Sequence, residues 1–296
     1  MIVLAGSPCY PSLMAEEDIY YIDGRFVPAG RAVLPVNDLA LLRGYGVFDF
    51  IRTYGGRPFL LEEHIARLEE SARLIRLPFP WPREEVADIV RQTLEKNPVR
   101  ESNIRVIATG GPSPDFLMPA GRPRLLVLVT PLKPFPGWWY QRGVKVITVR
   151  GQRSIPSAKT LNYLSTVVSL QEAAARGAVE AILVDRGGVV REGQTATVFA
   201  WLGGRLVTNR EGVLPGVTRA LVLRLAASVF PVEIRDFKIG ELRAAEEVFM
   251  TATNKEVVPI VRIDEAPVAA GRPGEGTGKI MELFRDYTAR FAAGVI

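Results

Sequence analysis

A search for a reactive lysine is short in this chain, because lysine stands at only seven of 296 positions: 96, 133, 145, 159, 238, 255 and 279. Lys159 follows the loop Gln152 to Ala158 and opens the run Lys159-Thr160-Leu161-Asn162-Tyr163-Leu164, whose spacing predicts a helix over Leu161 to Ala175. A helix N-terminus disfavours an ammonium, so an amine placed there is shifted toward its nucleophilic form. The plain alternative is an exposed loop lysine. Glu192, in Val190-Arg191-Glu192-Gly193-Gln194, reads as a carboxylate at a glycine turn between two strands, or simply as a solvated turn residue. The third piece is Leu214-Pro215-Gly216-Val217-Thr218-Arg219, a Pro-Gly turn opening a helix over Val217 to Phe230. Free amides at such a start bind anions, although a simple cap by Thr218 gives the same pattern. Amine, carboxylate and anion site together are what a phosphorylated cofactor requires.

These residues need elements to hold them. Asp23-Gly24 between the β-rich Tyr20-Tyr21-Ile22 and Arg25-Phe26-Val27 predicts a hairpin, Pro35 to Asp38 a turn or cap, and Gly46 to Tyr54 a strand turned back by Gly55-Gly56. Ile65, Leu68, Ala72 and Ile75 fall at helical spacing within Leu61 to Leu77, and Glu84 to Leu94 reads as a second helix. Strands follow at Asn103 to Thr109 and Leu125 to Val129. The run Thr130-Pro131-Leu132-Lys133-Pro134-Phe135-Pro136-Gly137 is stiff and poor in donors, as linkers often are. It divides the chain into a small α+β domain at 1–132, a linker at 133–140 and a larger mixed α/β domain at 141–296. The larger part alternates helices with strands at Val144 to Val149, Ala181 to Asp185, Thr197 to Leu202 and Arg205 to Thr208.

Composition removes other classes of function. With 48% hydrophobic and 23% charged residues the chain reads as globular, and no apolar run is long enough to span a bilayer. Met1 to Tyr10 lack a basic leading segment and run into Pro11 and Glu16-Glu17-Asp18, which argues against a signal peptide. The lone Cys9 fits a reducing cytoplasm, and one Cys with one His cannot supply a structural zinc site, so no metal is expected. The net charge of +5 comes from scattered arginines without interleaved aromatics, which speaks against nucleic acid as a partner.

In their order and context the three pieces, with His64-Ile65-Ala66-Arg67-Leu68 and Met250-Thr251-Ala252-Thr253-Asn254, resemble the class IV, or fold-type IV, pyridoxal-phosphate enzymes. That group contains branched-chain aminotransferases, D-amino-acid aminotransferases and aminodeoxychorismate lyases, and the likeness runs from about Tyr20 to the end. It implies a two-domain α/β (α+β) fold and pyridoxal 5′-phosphate as cofactor. Lys159 matches the lysine that bonds the cofactor and shuttles the substrate proton. Glu192 matches the carboxylate facing the pyridine nitrogen, which must stay protonated for the ring to accept electrons. Tyr163 matches the partner of the ring hydroxyl, and Leu214 packs on the ring face. The phosphate falls to Val217 and Thr218 through backbone amides, to Thr253, and to Arg67, whose fork suits bidentate contact. Arg67 could equally be a surface arginine of its helix, and His64 reads as structural.

On the substrate side the resemblance implies Phe48, Arg105, Ala252 and Thr253. Arg43, in Leu42-Arg43-Gly44-Tyr45, replaces the usual Tyr or Phe. A similar stretch occurs in divergent D-amino-acid aminotransferases whose arginines hold the substrate carboxylate. The loop of Arg43 can reach across a dimer interface in the family; otherwise Arg43 pairs with Asp38 or Asp49 and braces its own loop. Thr109 to Ser113 lacks the Arg and His trap of the better-known bacterial D-amino-acid enzymes, while the Lys159 to Asn162 spacing agrees with D-amino-acid aminotransferases and lyases. The expected activity is exchange of an amino group between an α-amino acid, D favoured, and a 2-oxo acid such as 2-oxoglutarate or pyruvate, in a homodimer or higher homo-oligomer. L-Branched-chain transamination is the alternative, and lyase activity a lesser one because the lyase motif is not reproduced. Gly274 to Ile280 is faintly similar to a nucleotide phosphate loop but fails its pattern, with Ile280 in the Ser/Thr place.

Overall fold

The computed structural model describes residues 18–98 and 101–296. Cys9 and the stretch before Asp18, on which the argument against a signal peptide rests, lie outside the described residues. The chain opens with the hairpin β1 (Ile19–Ile22) and β2 (Arg25–Pro28), in which Tyr20 faces Val27. Asp23 and Gly24 at its turn both take positive φ, 48° and 85°, the backbone that a tight hairpin demands. Helix α1 (Leu39–Arg43) is capped by Asp38, whose Oδ1 accepts from Ala40 N at 2.9 Å. Then come β3 (Gly46–Tyr54), β4 (Arg57–Pro58), α2 (Leu61–Leu74), α3 (Arg83–Glu95), β5 (Ser102–Thr109) and β6 (Arg124–Pro131). The strands form an antiparallel six-stranded sheet in the order β2-β1-β6-β5-β3-β4. Helices α2 and α3 bury Ile65, Leu68, Val86 and Val90 against Ile51, Ile104 and Val127 of that sheet. Helix α2 stops before the expected Leu77 because Arg76 turns left-handed at φ 58°, which no helix continues through.

After β6 the expected linker is partly structured, since α4 (Trp138–Arg142) forms there. The second sheet then collects β7 (Val144–Arg150), β8 (Ala181–Val184), β9 (Val190–Gly193), β10 (Thr197–Leu202), β11 (Arg205–Thr208), β12 (Val232–Ile234), β13 (Glu247–Ala252), β14 (Glu256–Ile263) and β15 (Ala266–Pro267). Its order is β12-β11-β10-β13-β14-β7-β8-β9, with β15 on β14, and the pairs β7–β8, β7–β14 and β11–β12 are parallel. Among its helices are α5 (Leu164–Ala175), α6 (Val217–Ala226), α7 (Ile239–Arg243) and α8 (Glu275–Ala292). Helix α6 ends earlier than the sequence suggests, four residues before Phe230, with Pro231 ahead of it.

The halves share a core. Phe59, just after β4, meets Phe284, Tyr287 and Phe291 of α8 edge-on, at centroid distances of 6.4, 6.1 and 4.9 Å. Nearby, Glu256 of β14 accepts from Arg52 (2.9 Å) and Tyr54 (2.8 Å) of β3. No described helix is long and apolar enough to cross a membrane.

Candidate active site

A cavity of about 370 Å³ opens between the two sheets, and it gathers nearly all of the residues singled out from the sequence. Strand β3 explains one wall. Its alternation buries Val47, Asp49 and Ile51 and sends Phe48 and Phe50 to the cavity. Helix α2 supplies another edge through Arg67, with His64 and Ser71 buried beside it on the same face, three residues before and four after.

Lys159 does not start a helix, contrary to the sequence reading. Its segment pairs with β3: Phe48 N donates to Lys159 O (2.9 Å) and Leu161 N to Gly46 O (2.9 Å), while Lys159 N donates to Ser71 Oγ (3.1 Å). That pairing delays α5 to Leu164 and fixes the lysine backbone. The ammonium is disfavoured all the same, for another reason. Enclosure, with the Arg67 charge next in weight, pulls the Lys159 amine from 10.5 to about 8, Asp49 and Glu192 opposing. Its Nζ lies 4.7 Å from the Phe48 ring centroid.

Glu192 lies within β9 rather than in a turn, and is 4% exposed. Burial pushes its carboxyl above the usual range; Arg153 and the Leu214 N–H pull it back. Arg153 Nε donates to Oε1 at 2.7 Å and Leu214 N to Oε2 at 3.0 Å. Arg153 escaped the sequence reading, because a lone arginine in a loop has no periodicity to betray it. Tyr163 stands just before α5 on the cavity wall, its ring edge-on to Phe48 at 5.3 Å, and burial raises its hydroxyl pKa.

At the far end Gly216, Val217 and Thr218 line the cavity with the first turn of α6, which has no side-chain cap. Thr218 lies inside the helix and does not cap it. Leu214, Ala252 and Thr253 line the same space, as does Arg105, whose guanidinium rests 4.8 Å from the Phe50 centroid. Arg67 departs from the expected bidentate role toward phosphate. Its Nε and Nη2 are taken by Asp49 (2.8 and 2.7 Å), and Nη1 reaches Pro215 O at 3.3 Å. The pair is almost wholly buried, and His64 Nδ1 meets Asp49 at 2.6 Å. Arg67 and His64 outweigh burial and hold the Asp49 carboxyl far below the usual range. Burial, more than Asp49, sets His64 below its ordinary value, so the imidazole is a neutral brace at pH 7.

Arg43 is absent from this cavity. It is exposed, Nη1 bonding Leu42 O at 2.8 Å, and it lines a neighbouring cavity of about 770 Å³ that shares Arg153 and Thr160 with the first. Neither acid considered as its brace takes that part: Asp38 accepts from Thr109, and Asp49 belongs to Arg67 and His64. The start of α8 at Gly274 to Ile280 is no anion site, since Glu247 already accepts from Gly276 N (2.9 Å) and Thr277 N (2.7 Å).

The cavity suits pyridoxal 5′-phosphate. It presents an amine near neutrality, a buried carboxylate, and an uncapped helix start beside the Arg67 guanidinium for the phosphate. Thr251 Oγ1 and Arg219 Nε, in residues of its lining, are buried polar atoms without a partner, as expected where a polar ligand belongs.

Comparison with known proteins agrees. Residues 46–263 match the family model of class IV amino-transferases. The chain is 35% identical over 285 residues to a Methanocaldococcus jannaschii protein named "Putative branched-chain-amino-acid aminotransferase", covering 93% of this chain and 98% of that one. It is 30% identical over 275 residues to the D-alanine aminotransferase of Staphylococcus haemolyticus, covering 90% and 96%. A branched-chain amino acid aminotransferase from T.th., solved with pyridoxamine 5′-phosphate, superposes with a TM-score of 0.85 at 30% identity, over 92% of this chain and 94% of that one. The chain belongs to the class IV aminotransferases, enzymes that work with pyridoxal phosphate.

Proposed function

We propose that the enzyme exchanges an amino group between a D-amino acid and a 2-oxo acid such as pyruvate or 2-oxoglutarate, at the cavity around Lys159. The observation that carries the site is the Lys159 amine, drawn to about 8 and facing a buried carboxylate across one cavity. Bound pyridoxal phosphate supplies an electron sink for the substrate α-carbon. Lys159 is the residue that would hold the cofactor and, with its amine drawn to about 8, would move the proton at that carbon. Glu192 would keep the ring nitrogen protonated, Tyr163 would meet the ring hydroxyl, and Leu214 would cover a ring face. The α6 amides of Val217 and Thr218, Thr253 and Arg67 Nη1 would hold the phosphate.

Arg105 supports the substrate reading. It is a cation in the cavity wall whose face packs on Phe50, leaving its edges to a carboxylate. Where the carboxylate rests decides which enantiomer turns its α-hydrogen to Lys159, with Phe48 and Ala252 shaping the side-chain space. L-Branched-chain amino acids are the second reading, supported by the M. jannaschii relative. Half-reactions with D-alanine and L-leucine, followed by absorbance, decide between them. Faster reaction with L-leucine would reverse the assignment.

We also infer a homodimer. Leu164, Val167 and Val168 of α5 are exposed by 50–75%, and Leu117, Met118 and Ile155 stand exposed around the Arg43 cavity. So many uncovered large apolar side chains fit a partner surface. A second copy is the partner that brings the Arg43 loop toward an active site.

A further inference from the structure

The proposed roles leave Arg153 without a task, although it lines the cavity with its guanidinium bonded on two sides. It stands on the loop between β7 and Lys159. Its Nε bonds Glu192 Oε1 (2.7 Å), its Nη2 bonds Gln194 O, and its guanidinium carbon lies 5.6 Å from the Tyr163 ring centroid. One side chain therefore touches both groups that the site reading sets against the cofactor ring, the acid toward its nitrogen and the phenol toward its hydroxyl. It lines both cavities, and its side chain is 21% exposed.

We propose that Arg153 is a positioning residue that keeps Glu192 an oriented carboxylate toward the cofactor ring, and so sets the pH range over which the protein holds pyridoxal phosphate. This rests on the site reading above. A carboxylate that is 4% exposed is drawn toward its neutral form by burial, and a neutral acid cannot favour a protonated ring nitrogen. Arg153 counters this with a charge-assisted bond to one oxygen, while the Leu214 amide holds the other. Each oxygen keeps a second lone pair for the ring. The other charged or titratable groups on the cavity cannot substitute. Lys159 is itself drawn toward neutrality, Arg67 is bound to Asp49, Tyr163 is a buried phenol, and Arg219 of α6 donates to Asn209 O. Arg105 packs on Phe50, and the turn after β9 offers only the neutral Gln194 and Thr195.

The test is the Kd of cofactor-free protein for pyridoxal phosphate, read by absorbance at pH 6, 7 and 8. The variants are Arg153→Gln, Arg153→Lys, Glu192→Gln and the double Arg153→Gln/Glu192→Gln. Each Kd is taken as a ratio to wild type, so that titration of the free cofactor cancels, and is repeated with pyridoxamine 5′-phosphate, which forms no bond to the Lys159 amine that Arg153 and Glu192 also perturb. Arg153→Gln is expected to bind about tenfold more weakly at pH 6 and near wild type at pH 8, because Glu192 without Arg153 takes up its proton at higher pH than before. Arg153→Lys should restore a flat ratio, and Arg153→Gln should have no pH-dependent effect in the Glu192→Gln background. A loss in Arg153→Gln that is the same at all three pH values, or one that persists with its pH dependence when Glu192 is already Gln, overturns the proposal. Failure of wild type to take up the cofactor on Lys159, shown by no borohydride-fixed label there, would instead overturn the site reading and this proposal with it.

Discussion

Two lysines stand near the cavity, and their surroundings make them opposites. Lys255 Nζ is clamped in an ion pair by Glu180 (2.7 Å) and bonded to Thr195 (2.6 Å), whereas Lys159 has no ion-pair partner among the described residues. Borohydride reduction followed by mass spectrometry should therefore place the cofactor on the Lys159 peptide, with Lys159→Ala losing nearly all turnover; a label on Lys255 would refute this. Stability should carry the same signature. The folded amine titrates near 8 and the unfolded one near 10.5, so between those values the unfolded chain holds more protons. The cost of Lys159 to the cofactor-free protein is full below pH 8 and fades by pH 10.5. Lys159→Met should melt above wild type at pH 7, by a margin that closes as pH approaches 10.5. Glu192→Gln should still bind cofactor at saturating concentration yet slow deprotonation of the substrate, on the order of 10²-fold, in single-turnover absorbance. An unchanged rate would remove Glu192 from its role. At this scale the sequence was informative where a motif surrounds the residue, as with Lys159, Glu192 and Thr253. It was silent on Arg153 and Ser71, whose partners lie 39 and 88 positions away.

Strand β3 shows how an element places chemistry. Its limits, Gly46 and Tyr54, were readable from its alternation and the Gly55-Gly56 turn, but its pairing with the Lys159 segment was not, because that contact joins distant parts of the chain. The missed contact is also why the helix expected from Leu161 starts late. Gly46 permits the approach: a Cβ there would sit 2.6 Å from Leu161 Cδ1 and 2.7 Å from Ala108 O. Gly46→Ala should cost about 1–3 kcal/mol in denaturant unfolding and weaken cofactor retention, since Lys159 is displaced with its strand. Asp49→Asn tests the opposite face of β3. It strips Arg67 and His64 of their shared carboxylate, and the loss of one partner from a buried pair costs about 3–5 kcal/mol. Denaturant unfolding reads that loss, and cofactor retention should fall with it as Arg67 loosens. Stability equal to wild type would show that the buried pair contributes nothing net.

For the molecule as a whole, the order of strands and helices was largely legible from hydrophobic period and turn residues, whereas the packing of the first part of the chain into the core around α8 was not. Phe59 gives no sign in the sequence that it ends among the aromatics of α8. The inferred dimer is testable at this scale. Val168→Asp on the exposed face of α5 should shift the sedimentation coefficient from dimer to monomer, and an unchanged value would move the interface elsewhere. The cavity itself has a kinetic consequence. Phe48 and Arg67 come from the first sheet and its helix, Glu192 and Thr218 from the second sheet and its helix, and Lys159 is stitched to β3 from the other half of the chain. No fragment holding one sheet has the complete pocket, so a nascent chain cannot load cofactor until the later strands have been made and docked. Ligand then stabilises only the docked state. Uptake of the coenzyme thus becomes a late checkpoint in folding, and a pulse of refolding protein should turn yellow only after its tryptophan fluorescence has settled.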